Sequence, residues 1–166
     1  MGFVVSERGI EVDPDKVKAI QNLLPPRTQK MVRGFLGRLN YISRFISQMT
    51  AKCNPIFKLL QKCNSGEWDE DCQIAFDKIK YYLSNPPILV SPVPEKPLIL
   101  YLTVHERVIG YVLGQCDESK KNEHAIYYLS KKFTEYEAKY SSLEKMCCAL
   151  TWAAQQLRQY MLYHTT

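Results

Sequence analysis

LILYLTVHERVIGYVLGQCDESKKNEHAIYYLS, residues 98–130, holds three runs of strand character. The first two, Leu98 to Val104 and Val108 to Gln115, are almost continuously apolar, the pattern of strands covered on both faces. The third, His124 to Ser130, follows the polar segment CDESKKNE, whose composition marks a turn. Downstream, Leu143, Met146, Cys147, Leu150, Ala153, Ala154, Leu157 and Met161 recur at helical spacing and predict one long helix from about Ser141 to Met161 with that stripe buried. Three strands and one helix make a thin domain, so this part reads as an incomplete α+β module and the chain as cut short.

Upstream of residue 98 the pattern is helical. FVVSERGIEV (3–12) reads as a small hairpin around a Ser6–Gly9 turn. Asp13 and Pro14 then supply an N-cap and a first helical position, with Val17, Ile20 and Leu24 inward and Pro25-Pro26 as the stop. A second helix is expected from Thr28 to about Ser47 on the stripe Val32, Phe35, Leu36, Leu39, Ile42 and Ile46. A third is expected over Ala51–Gln61, ending near Asn64-Ser65-Gly66. Trp68 and Asp69 open a fourth, with Cys72, Ala75, Phe76, Ile79 and Leu83 buried. NPPILVSPVPEKP (85–97) has five prolines in thirteen residues and reads as an extended tether. The chain is therefore α+β: a helical module to about residue 85, then the short sheet with its long helix.

Composition narrows the class. At 166 residues, 46% hydrophobic and 23% charged, the chain is neither collagen-like nor low-complexity, and wholesale disorder is not expected. No run approaches 18 uninterrupted apolar residues, so neither a membrane-spanning helix nor a membrane partner is expected. The opening MGFVVSERGIEV is too short and too charged for a secretory signal, which points to an intracellular, reducing setting. The six cysteines (Cys53, Cys63, Cys72, Cys116, Cys147, Cys148) form no Cys-x-x-Cys pair, and the three histidines follow no ligand spacing. Free, mostly buried thiols and no structural metal are expected.

Charge is uneven. The net value of +5 is mild, yet no Asp or Glu occurs from Lys16 to Lys62, a stretch carrying ten Lys and Arg. From Cys63 onward eleven basic residues face thirteen acidic ones. The first third thus holds the whole basic excess, a distribution suited to a polyanion. If the stripe of the second helix faces inward, Lys30, Arg33, Gly37, Tyr41 and Arg44 fall on its outer side. Gly34 and Gly37 each cost that helix about 1 kcal/mol relative to Ala. Missing side chains let a backbone approach a groove, and flanking Arg can pair with phosphates. The plainer explanation is a solvated face with glycines that serve helix packing.

The segments FVVSERGIEVDPDKVKAI, MVRGFLGRLNYISRFI and EWDEDCQIAFDKIKYYLSNPPIL, in this order, resemble the pol polyprotein of gypsy-type LTR retrotransposons. LILYLTVHERVIGYVLGQ and IYYLSKKFTEYEAKYSSLEKMCCALTWA resemble the first half of its ribonuclease H domain. The resemblance implies a map: residues 1–12 the end of the reverse transcriptase palm, 13–62 the thumb, 63–97 the connection and Pro-rich tether, 98–166 a truncated ribonuclease H-like domain. It also implies a partner, a duplex or RNA–DNA hybrid tracked by the thumb through Lys30, Arg33, Gly34, Gly37, Tyr41 and Arg44. The family's polymerase carboxylates lie upstream of the hairpin, so polymerisation by this chain is not expected.

The family's ribonuclease uses magnesium, and its first two carboxylates can be sought residue by residue. Counting back from Val112-Leu113 places Thr103 where the first-strand Asp belongs; a one-residue shift offers only Val104. Counting from Tyr140-Ser141 places Met146 where the helix Glu belongs. Glu144 stands two residues away, about 200° around a helix. Two magnesium ions need converging carboxylates, so the expectation is no catalytic residue, no cofactor in this chain and lost ribonuclease activity. The tyrosines and Trp152 are expected to pack rather than stack on bases, Cys147 and Cys148 to sit in the core, and Lys120, Lys121, Lys131 and Lys132 to be turn charges. An unpaired Leu98–Val104 edge would favour self-association. The competing function is a protein-interaction module docking through that edge.

Overall fold

In the computed structural model, which describes residues 2–60, 67–117 and 122–164, two strands open the chain: β1 (Phe3–Ser6) and β2 (Gly9–Val12), paired antiparallel. Gly9 sits at φ +134°, and a Cβ there would lie 2.5 Å from the Leu89 carbonyl oxygen, so only glycine suits this turn. The helices α1 (Pro14–Gln21) and α2 (Gln29–Tyr41) follow; the Asp13 side chain caps the first, as the sequence predicts, and the Thr28 side chain caps the second.

α2 is shorter than expected. It ends at Tyr41 and passes into a 3-10 turn, Ser43–Phe45, while Ile42 and Ile46 stay buried as anticipated. Leu24 falls beyond α1 and is 78% exposed, so its expected inward position is corrected. The third expected helix is two short ones, α3 (Met49–Lys52) and α4 (Asn54–Lys58), divided at Cys53 where Pro55 begins a new first turn. Its expected end at 64–66 lies outside the described residues. α5 (Glu70–Tyr82) is capped by Asp69, and its expected buried face is the observed one. Together these helices enclose the larger core, around Phe35, Leu39, Phe45, Ile56, Phe76 and Ile79.

The Pro-rich segment is extended but held along its length. Leu89 is fully buried and exchanges two backbone hydrogen bonds with Ile10 (2.7 and 2.9 Å), and Val90 N–H donates to the Ala125 carbonyl. The buried Gln115 side chain accepts from Val93 N–H and donates to the carbonyls of Val93 and Lys96. A segment without regular structure of its own thus has its backbone paired at Leu89, Val90, Val93 and Lys96.

The second sheet has the antiparallel order β3 (Ile99–Val104), β4 (Val108–Cys116), β5 (Glu123–Lys132), with a bulge at Leu113/Gly114. Most of the turn between β4 and β5 lies outside the described residues. β4 is covered on both faces, as expected, but β3 is not. Its Leu100, Leu102 and Val104 pack inward while Tyr101 and Thr103 are exposed. The helix α6 (Ser142–Gln156) lies on the inward face, stopped at Leu157 and followed by α7 (Arg158–Tyr163).

The face of α6 is the largest departure from the sequence reading. Ala149 and Ala153 are buried and Trp152 and Cys148 half-buried, whereas Leu143 (74% exposed), Met146 and Leu150 (49% each), Cys147 and Ala154 point to solvent. The helix is apolar on both sides, and the side with small residues was selected. Ala149 and Ala153 let the backbone sit close enough for the Tyr111 hydroxyl to donate to the Ala149 carbonyl at 2.9 Å, with Tyr111 and Trp152 ring centroids 5.3 Å apart. Met146 and Cys147 are therefore not core residues. Nor are the described thiols mostly buried: Cys53 and Cys72 are, Cys116 and Cys148 are intermediate and Cys147 is exposed.

The opposite face of the sheet meets the helical half. Thr50 N–H and hydroxyl bond the Ser130 hydroxyl (3.0 and 2.9 Å). Ala125 and Tyr128 join the larger core, and Gly110 lies under the Gln48 side chain.

Candidate nucleic-acid interface

The buried stripe of α2, Val32, Phe35, Leu36 and Leu39, leaves Lys30, Arg33, Gly34, Gly37 and Tyr41 exposed on the outer side. From Lys30 to Tyr41 the strip is about 16 Å long at 1.5 Å per residue. Among the described residues, a Cβ built on Gly34 or Gly37 meets nothing within 4 Å. Helix packing within the chain therefore does not account for the glycines, and the strip has an open floor.

Arg38 belongs to the same face and was missed in the sequence. It is exposed, flanks the glycines on the side opposite Arg33, and lines cavities on both of its sides. Its position one turn after Gly34 was the available signal. The side chains of Lys16, Lys18, Arg27, Lys30, Arg33 and Arg38 make no ion pair or hydrogen bond among the described residues. No carboxylate occurs between residues 16 and 62, so the charge of Arg27, Lys30, Arg33 and Arg38 has no acidic neighbour in that stretch of sequence, whereas Lys16 and Lys18 share α1 with Asp15 and its cap Asp13.

Arg44 is not brought to this strip. The early end of α2 and the 3-10 turn rotate it toward the sheet, where its guanidinium carbon lies 5.2 Å from the Phe3 ring centroid and 4.6 Å from that of Tyr127. Its Nε is buried without a hydrogen-bond partner. It braces the first hairpin against β5.

The two degenerate positions do not meet. Thr103 pairs with Gly110 and, by strand alternation, lies on the face of β3 away from α6. Met146 lies on the face of α6 away from the sheet. Glu144 closes a capping box: its own N–H donates to Ser141 Oγ, and its carboxylate accepts from the Ser141 hydroxyl and from Ser141 N–H, both at 2.8 Å; the hydroxyl bond first, and the backbone bond after it, hold its carboxyl below the usual range. Among the described residues no group of three His, Cys, Asp or Glu could hold a metal ion. A hydroxyl and a thioether on opposite sides of a sheet–helix contact do not fit magnesium.

Elsewhere the expected bland roles are mixed. Tyr127 packs on Tyr160 and Tyr128 on the larger core, whereas Tyr136 and Tyr140 are exposed. Lys131 is no turn charge: it donates to Glu137 at 2.6 Å in a half-buried pair. Lys120 and Lys121 lie outside the described residues.

Residues 68–166 match the RNase H-like domain found in reverse transcriptase. The chain belongs to that family. It is also 32% identical, over 98% of its length, to the retrovirus-related Pol polyprotein from transposon 297 of Drosophila melanogaster. The corresponding polyprotein from transposon opus is 30% identical over 97% of the chain, and the transposon Tf2-3 polyprotein of Schizosaccharomyces pombe 26%. The chain spans 15%, 17% and 12% of these relatives. It is thus a stretch of retrotransposon Pol sequence carrying an RNase H-like domain. Its fold matches the foamy viral protease-reverse transcriptase solved with an RNA/DNA hybrid, at TM-score 0.80 and 23% identity, covering 95% of this chain and 21% of that one. It also matches the complex with dsDNA, at TM-score 0.77 and 22% identity, covering 98% and 33%.

Proposed function

We propose that this chain is a nucleic-acid-gripping part of a reverse transcriptase–ribonuclease H region and does not itself cleave or polymerise. In this reading residues 1–12 end the palm, 13–62 form the thumb, 63–97 the connection and 98–166 the ribonuclease H-like domain. α2 lies along a duplex groove, with Gly34 and Gly37 against the nucleic acid, Lys30, Arg33 and Arg38 on phosphates, and Tyr41 at one end. The observation that carries this is the open glycine floor between unpaired cations. The foamy viral enzyme, whose fold the chain shares, was solved on both an RNA/DNA hybrid and dsDNA. Little base specificity is expected, because phosphate contacts position without specifying. Loss of catalysis is supported by Thr103 and Met146, which offer no carboxylate and do not converge.

The test is a fluorescence anisotropy titration against an RNA–DNA hybrid. Three neutralised phosphates give a log–log salt slope near −3, so affinity falls about fortyfold between 50 and 200 mM salt. Gly37→Ala should stabilise the helix by about 1 kcal/mol yet weaken binding. No binding at low salt would overturn the grip, and magnesium-dependent cleavage of the hybrid would overturn the inactivity. A second reading, protein docking, is favoured by the exposed Leu143, Met146 and Leu150 on α6, which packs on the open-edged β3. A concentration-dependent dimer abolished by Leu150→Glu would support it.

A further inference from the structure

Beside the strip, between α1 and α2, a cavity of about 320 Å³ is lined by Gly2, Lys16, Ala19, Ile20, Arg38 and Tyr41. Its chemistry is divided. Lys16 and Arg38 come from different helices, and neither side chain makes an ion pair or hydrogen bond among the described residues. Ala19 and the buried Ile20 add an apolar surface, and Tyr41, 77% exposed, adds an aromatic one. No carboxylate lines it. At Gly2 a Cβ would stand 2.8 Å from the Tyr41 carbonyl oxygen, so the chain entering β1 lies directly against the end of α2 and fixes the third wall.

We propose that this cavity takes one unpaired nucleotide at the end of a bound duplex, with its phosphate between Lys16 and Arg38 and its base against Tyr41 and the Ala19–Ile20 surface. The inference rests on the reading of α2 as a duplex-binding element. A bare anion would leave the apolar surface and the ring without use, and an acidic peptide would have no call on a flat aromatic wall. A nucleotide matches both halves, and the volume, at the small end of ligand sites, suits one such unit. The base must be unpaired, because stacking needs a free face and a paired base at a groove offers only its edge. Continuity favours the same occupant. Arg38 and Tyr41 end the glycine strip and also line the cavity, so a strand leaving the strip arrives there.

Three ligands test this at one salt concentration: a blunt RNA–DNA hybrid, the same hybrid with a two-nucleotide single-stranded overhang, and a blunt hybrid two base pairs longer. The protein should bind the overhang at least about fivefold more tightly than either blunt duplex, the effect of one stacked base. The ratio should fall to one in Lys16→Gln and in Ala19→Leu, which fills the cavity without changing charge. Both positions are exposed, so the substitutions spare the core. Equal affinity for overhang and longer blunt duplex, with steep salt dependence retained, would overturn the nucleotide site and leave the duplex reading standing. Binding of a single-stranded oligonucleotide without any binding of blunt hybrid would remove the duplex reading, and with it the arrangement proposed here.

Discussion

Glu137 begins the 3-10 turn Glu137–Lys139 that follows β5. In the fold its carboxylate accepts from Lys131 Nζ at 2.6 Å, Thr134 N–H at 2.7 Å and Cys148 Sγ at 3.3 Å. The Lys131 bond first, and the Thr134 backbone bond after it, hold the carboxyl down at about 2 against an ordinary 4.5. A carboxylate lowered on folding stabilises fully above its unfolded value, and the contribution is lost as pH falls from about 4.5 toward 2. Glu137→Gln should therefore cost about 1–3 kcal/mol at pH 7, read as a lower urea midpoint. The gap from wild type should narrow between pH 4.5 and 2. A gap unchanged at pH 2.5 would mean that the residue acts through packing and not charge. In the sequence nothing in the polar stretch KKFTEYEAKY distinguishes Glu137 from Glu135, and no local pattern told that the Arg44 guanidinium would lie between two rings.

Helices are where the sequence is most and least informative at once. Helix starts were legible because the chemistry that fixes them is local: the helices expected to open near Asp13, Thr28, Asp69 and Ser141 do so, and each of these side chains accepts from a backbone N–H of its first turn. The inner faces of α2 and α5 were legible because each has only one apolar stripe. α6 has two, and periodicity alone does not say which one meets a sheet. Steric fit decided it, since Ala149 and Ala153 allow a closer approach than Leu143, Met146 and Leu150 would. Adjacent thiols report the outcome. Among the described thiols, Cys147 should react fastest with a neutral disulfide reagent. Cys148 should lag, its thiol pushed up by burial and by the hydrogen bond to Glu137. Cys53 and Cys72, pushed by burial first to about 12 and about 11, should react only on unfolding. Peptide mapping by mass spectrometry that found Cys148 modified ahead of Cys147 would place the other face of α6 outward.

At the scale of the whole chain, what the sequence concealed is the contact between its halves. A proline-rich tether separating a basic helical part from a sheet suggests two bodies, since periodicity carries no information about which distant faces meet. In the fold the tether is pinned by Leu89, Val90 and Gln115, and the second face of the sheet is closed over β4 and β5 by α3 and the Ser43–Phe45 turn. Thr50 and Ser130 satisfy each other, and Tyr128 completes a core built otherwise from the helical half. Separating the halves would expose that apolar surface and strand those hydroxyls, so the two should unfold as one unit. The chain's two tryptophans make this measurable, Trp68 lying at the larger core and Trp152 on α6. In Trp152→Phe only the helical half fluoresces, and in Trp68→Phe only the sheet half. In each variant the fluorescence midpoint in urea should coincide with the far-ultraviolet circular dichroism midpoint, and adding Ser130→Ala should lower both together. A fluorescence midpoint that departs from the circular dichroism midpoint by about 1 M urea, more than 1 kcal/mol at ordinary slopes, would mean that the grip and the ribonuclease H-like part fold separately. A coupled chain has the further consequence that a ligand on α2 protects α6 from unfolding, because whatever binds only the folded state stabilises every part that unfolds with it.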